Sequence, residues 1–242
     1  VAPRGLETLH VALARDPPYR WAFFNELMRI QVDPRLPLDL LVAMQRAGVE
    51  PEPREVALYV QTLLSARNFQ LAHYAWLYFV PQERLDAQSL LFNGKFQYPP
   101  SGMPFDWMFE HRGGLRIEIA DAPGKVAARA LRAEFTEGQA DGGAFQMLTL
   151  PPGSYALTGA ANGLVRARRG LVWRVSCIET RMFQIAETDL LREAPQWQPF
   201  SLNFTVPAAE CGAQRLELLL QAHSDSEKLA SGSMYFTDLD IA

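Results

Sequence analysis

The chain has 242 residues, 48% of them hydrophobic, with 23 Lys and Arg against 27 Asp and Glu for a formal net charge of -4. That length holds one large domain or two small ones and is ample for at least one hydrophobic core. The basic residues are scattered, which argues against a nucleic-acid partner, and no run of about 18 apolar residues predicts a transmembrane helix.

The chain begins at Val1 rather than Met and reads as trimmed at its start, so any address segment would already have been removed. A weak helical pattern occupies residues 5–15. The segments "RWAFFNELMRI" (20–30) and "LPLDLLVAMQRAG" (36–48) are predicted helices, the second with Pro37 in its first turn and Gly48 at its end. In 54–66, Val56, Tyr59, Val60, Leu63 and Leu64 fall at the spacing of one apolar helical stripe. Arg67 and Asn68 make a short turn, and "FQLAHYAWLYFV" (69–80) repeats the stripe, with Ala72 and Ala75 small enough for close helix approach. Short turns between such helices suggest stacked helical hairpins, and the pattern around "LAHYAWLYF" resembles a tetratricopeptide-type repeat. The aromatic residues Trp21, Phe23, Phe24, Tyr74, Trp76 and Tyr78 read first as core and second as a groove for a protein partner.

From residue 91 onward the hydrophobic period changes from that of a helix to two. "LFNGKFQ" (91–97) reads as a first strand, followed by a proline-stiffened loop that Phe105 and Trp107 pack down. "LRIEI", "LRAEF", "FQMLTL", "SYALTGA", "LVWRVSC", "FSLNFTV", "RLELLL" and "MYFTDLDI" follow as short strands, with turns expected at Asp141-Gly-Gly143 and Pro151-Pro-Gly153. With no helix among them long enough for a crossover, the arrangement is an antiparallel sandwich. The fold class is therefore α+β and multidomain, with helical hairpins over 1–88 and a β-sandwich over 89–242.

Cys177 and Cys211 are the only cysteines. A disulfide between them is favoured over two buried thiols, and it would place the protein outside the cytoplasm, in a periplasmic or extracellular setting. No nucleophile elbow, phosphate loop, zinc motif or cofactor fingerprint is present, so no catalytic residue is named and a non-enzyme is expected. Glu118, Asp121, Glu134 and Glu137 would have to converge within about 10 Å to act as a glycosidase pair.

Four motifs in order, "LFNGKFQ", "LPPGSYALTG", "WQPFSLNFTVP" and "GSMYFTDLDI", resemble the galactose-binding-like jelly roll of the xylanase-associated carbohydrate-binding modules. The resemblance covers about residues 90–242. Helices followed by this sandwich also resemble bacterial proteins associated with exopolysaccharide. The resemblance implies a polysaccharide or oligosaccharide ligand, and a structural calcium ion that would fall to Gln97 and Asp238. This chain has Gln97 where the family has an acid, and Thr237 before Asp238 where the family has two aspartates, which weakens the calcium expectation.

For sugar contact, Trp173 alternates with Leu171, Val175 and Cys177 on one strand face and reads as core. Arg174 falls on the opposite face, which with Arg116 and Glu118 is expected to be the exposed concave surface. Trp107, Arg168, Arg169 and Arg174 are the candidate ligand contacts, while Trp197 reads as structural. The contrasting expectation is a protein–protein scaffold whose sandwich has lost its sugar site.

Overall fold

The computed structural model describes residues 9, 11–13, 15, 17–30, 33–85 and 89–242, the side chain of Glu137 excepted. The chain divides into two compact units, Val1–Val80 and Pro81–Ala242. Most of the helix expected at 5–15 lies outside the described residues, although 9 and 11–13 are helical.

The first unit holds α1 (Arg20–Ile30), α2 (Leu36–Arg46), α3 (Pro53–Ser65) and α4 (Phe69–Tyr78). Pro37 and Pro53 open α2 and α3, where a missing N–H costs nothing. The Glu55 carboxylate accepts the Glu52 N–H at 2.9 Å, closing the start of α3. Arg67, at φ 59°, makes the turn into α4. Phe24, Leu40, Leu41, Met44, Val60, Ala72 and Ala75 have no exposed surface and form the packed interior. Arg20 donates two hydrogen bonds to the Glu55 carboxylate, at 2.6 and 2.5 Å. Both side chains are buried, so the pair holds two charges together inside the helical unit, where removing one of them is costly.

The second unit is an eight-stranded antiparallel sandwich: β1 (Met108–Asp121), β2 (Arg129–Leu148), β3 (Gly153–Ala167), β4 (Gly170–Ile178), β5 (Met182–Glu187), β6 (Glu193–Val206), β7 (Ala213–Gln221) and β8 (Ala230–Ile241). β2 belongs to both layers. Its second half, 143–148, pairs with β7, and β4 and β5 follow to make the front sheet. Its first half, 131–135, pairs with β8, and β3 and β6 follow to make the back sheet. β1 accompanies β2 through both layers, with a register shift between Gly113 and Leu115. Gly113 is required at this corner: its φ is +56°, and a Cβ there would stand 1.8 Å from the Gln139 carbonyl oxygen.

The period-two pattern decides what lies between the layers. Leu115, Ile117, Leu131, Phe135, Leu157, Trp173, Leu202, Phe204, Leu216, Leu218, Met234 and Phe236 share one core. The Cys177–Cys211 disulfide, with Cα atoms 4.9 Å apart, ties the end of β4 to the loop before β7. Beside it, buried Gln214 accepts the Leu150 N–H at 2.8 Å and donates to the Cys211 carbonyl at 3.4 Å.

Three sequence expectations are corrected. Residues 91–97 are a turn, with Asn93 and Phe96 at φ 51° and 54°, although Leu91 and Phe96 enter the core. Asp141-Gly-Gly143 is not a turn but lies within β2, where the neighbouring strands approach too closely for side chains. β5 was not anticipated, because "MFQIAE" carries a register shift and two half-buried aliphatics rather than a clean alternation.

Candidate functional site

Side chains pointing away from the core on the front sheet form aligned rows. One row runs Glu187, Arg174, Glu217, Phe145 and Met108 across β5, β4, β7, β2 and β1. The adjacent rows carry Ser176, Arg215 and Met147 on one side, and Val172, Leu219, Gly143 and Glu110 on the other. Over them lies a groove of about 300 Å³ lined by Glu110, Asp141, Arg174, Arg215, Glu217 and Lys228. A Cβ on Gly143 would meet the Leu218 carbonyl oxygen at 2.0 Å, so the floor is kept low by backbone approach.

The polar groups are pre-arranged by one another. Arg215 donates through Nε to Glu217 at 3.0 Å and has Glu110 at 3.8 Å, while its guanidinium lies 3.7 Å from the centre of the Phe145 ring. Arg174 donates to Glu187 at 3.1 Å, and Gln221 donates to the other Glu187 oxygen at 2.9 Å. Three cations and three carboxylates line the groove, so it offers many donors and acceptors with little net charge. Such a surface suits a polyhydroxylated ligand better than a polyanion.

One wall comes from the 222–229 loop, which contributes Ala222 and Lys228. Glu227 holds that loop. It accepts Arg169 Nε at 2.7 Å and the His223 N–H at 3.0 Å, with Arg168 at 3.4 Å. The hydrogen bond from Arg169, then that from His223, holds its carboxyl below the ordinary 4.5.

Among the predicted contacts, Arg174 lies in the groove. Arg168 and Arg169 do not line the groove: Arg169 is bonded to Glu227 and Arg168, largely exposed, lies 3.4 Å from the same carboxylate. Trp107 is corrected from a ligand contact to a core residue: it has no exposed surface, packs on Phe96 and Trp173, and donates its indole N–H to the Asn93 carbonyl at 3.1 Å. Trp197 is pinned rather than free, donating to the Pro123 carbonyl at 2.8 Å beneath Lys125. Arg116 and Glu118 do not join Arg174, because they project from the back sheet.

Gln97 and Asp238 do not fit a calcium ion. Asp238 is paired with Lys125 at 2.7 Å, Gln97 is exposed, and no three His, Cys, Asp or Glu side chains converge among the described residues. Glu118 and Glu134 both pair with Arg132, and Asp121 pairs with Arg129, so these carboxylates serve ion pairs; the Glu137 side chain lies outside the described residues.

Sequence reasoning missed Glu110, Phe145, Arg215, Glu217 and Lys228. The signal for Arg215 and Glu217 was present: in "RLELLL" they alternate with buried leucines as Arg174 alternates with Trp173.

No protein-family model and no curated protein matches the sequence. Among solved structures, a CBM4 module is 14% identical, covering 63% of this chain and 98% of its own, with TM-score 0.48. A putative sugar binding protein from Bacteroides thetaiotaomicron is 13% identical, covering 64% and 99%, with TM-score 0.47. A Stig cyclase from Fischerella sp. TAU is 12% identical, covering 62% and 93%, with TM-score 0.43. These neighbours include both a binding module and an enzyme, and likenesses at this level carry no function to this chain.

Proposed function

We propose that this is a non-catalytic polysaccharide- or oligosaccharide-binding protein whose glycan lies in the front-sheet groove. The supporting observation is the groove itself, whose lining combines Arg174, Arg215 and Lys228 with Glu110, Asp141 and Glu217. Hydroxyl groups both donate and accept, so a glycan can satisfy both kinds of partner. The Cys177–Cys211 disulfide supports a periplasmic or extracellular setting. The helical unit serves a protein partner, a reading supported by Tyr74, Leu77 and Tyr78, which stand exposed on one face of α4. Its tetratricopeptide-like character and a role in exopolysaccharide production or export belong to the same proposal.

A second reading, a scaffold that has lost its sugar site, is favoured by one observation: Arg215 covers the Phe145 ring, the aromatic surface on which a sugar would stack. A glycan array of the intact chain, with neutral and acidic polysaccharides, separates the two. The glycan reading expects specific hits that Arg215→Met removes without unfolding the protein. Silence across the array would favour the scaffold.

A further inference from the structure

The back sheet ends at β6, which pairs with β3 alone. Among the described residues no turn or loop hydrogen bond reaches the backbone of 195–206, so one side of this strand is a free edge. Bonding on the far side of β3 fixes which groups stand there. Ala156 exchanges both of its backbone hydrogen bonds with Ala242, at 2.8 and 3.1 Å, and so turns them away from its β6 neighbour Asn203. In an antiparallel ladder that makes Ala156 and Asn203 a non-hydrogen-bonded pair, in which each residue directs its N–H and C=O away from the other. Asn203 therefore offers both groups to the free edge, and with period two so do Ser201 and Thr205. Pro199 falls at the same parity, where a strand can lack an N–H without losing a ladder bond.

Charged side chains commonly protect such edges. Here residues 194–209 hold none, and Ser201, Asn203 and Thr205 are exposed. The order of residues is also self-complementary. Pro199 and Pro207 stand four positions on either side of Asn203, so a second copy laid antiparallel about Asn203 brings proline opposite proline and leaves no N–H unpaired at either end. Between them Ser201 meets Thr205 and Asn203 meets its own counterpart, each pair exchanging two N–H···O bonds, with a favourable hydroxyl pair across the strands. This symmetry, which brings no like charges together, selects a second copy of this chain over an unrelated strand.

We propose that the free edge of β6 is a self-association site, at which two copies join antiparallel about a two-fold axis through Asn203. The two back sheets become one continuous sheet, and the pair carries two front grooves. The proposal does not depend on what those grooves bind.

The test is sedimentation velocity of the full chain from about 1 μM to about 1 mM, the range from tight to weak association, with amide hydrogen exchange read at both ends. A monomer–dimer equilibrium is expected, with the Ser201, Asn203 and Thr205 amides more protected at the higher concentration. Asn203→Lys and Asn203→Asp each place like charges opposite one another at the axis and should weaken the dimer at least about fivefold. Mixing the two variants should restore it, which misfolded chains could not do. Ser231→Lys, at an exposed position on β8 of the same sheet, should leave association unchanged. A monomer at every concentration would overturn the proposal, as would a dimer that both Asn203 variants leave intact or one whose 201–205 amides stay unprotected.

Discussion

The two outer faces of the sandwich carry nearly the same constellation. On the front, Arg215 stands between Glu217 and Glu110 with the Phe145 ring 3.7 Å from its guanidinium. On the back, Arg132 donates to Glu118 at 2.9 Å and to Glu134 at 2.5 Å, with the Tyr235 ring 5.8 Å away. The back-face cluster is built from strand residues of β1, β2 and β8 alone. The front-face cluster gains a wall from outside the sheet, the loop anchored by Glu227, and a floor that Gly143 keeps low. Residue type makes an arginine–carboxylate ladder; concavity makes it a candidate site.

The largest expected effect is on the core both layers share. Trp107→Ala removes a fully buried ring packed on Trp173, and chemical denaturation should show a loss of about 3–5 kcal/mol. A loss under 1 kcal/mol would contradict the core placement. Cys211→Ser acts on the front layer. Opening a crosslink of 34-residue separation should cost about 3–4 kcal/mol in the chain-entropy model, measured under non-reducing conditions against the wild type. Equal stability with and without reductant would show that the bond contributes nothing.

The sharpest comparison is Arg215→Met against Arg132→Met. Both residues sit in part-exposed ion pairs, so each change should alter stability by no more than about 1 kcal/mol. Glycan affinity should fall more than about tenfold in the first variant, as expected for losing a charge-assisted contact, and less than about twofold in the second. Equal losses would mean that the groove has no special standing.

What the sequence makes legible follows from range. Period-two alternation identified the cores of β4, β6, β7 and β8, because Trp173, Phe204, Leu218 and Phe236 each have an inward neighbour two residues away. The same logic placed Arg174 opposite the core. It failed at 91–97, where an apolar alternation coincides with left-handed backbone at Asn93 and Phe96. It failed in the opposite sense at Asp141-Gly-Gly143, whose turn-like composition serves close strand approach. The groove was hidden because its lining comes from positions as distant as Glu110 and Lys228. Arg169 could not be separated from a ligand contact without its partner Glu227, which lies 58 positions away.

The smallest expected effect is an acid response that distinguishes the groove wall from the sandwich interior. Glu227 has its carboxyl lowered in the folded protein, chiefly by Arg169. It therefore stabilises the loop above its ordinary value of 4.5, and that contribution is lost as pH falls through the depressed value. Asp106 has the opposite sign. Burial pushes its carboxyl up from the ordinary 3.8, against hydrogen bonds from the Ser101 and Trp107 N–H groups, each at 2.7 Å. Its protonated form is favoured in the fold, so acidification through the raised value strengthens that loop. Hydrogen exchange measured from pH 6 to pH 3 should show 223–229 opening while 101–107 becomes more protected, once intrinsic rates are divided out. Glu227→Gln should flatten the first response and leave the second; a parallel loss of protection in both segments would mean that acid acts globally rather than on the wall.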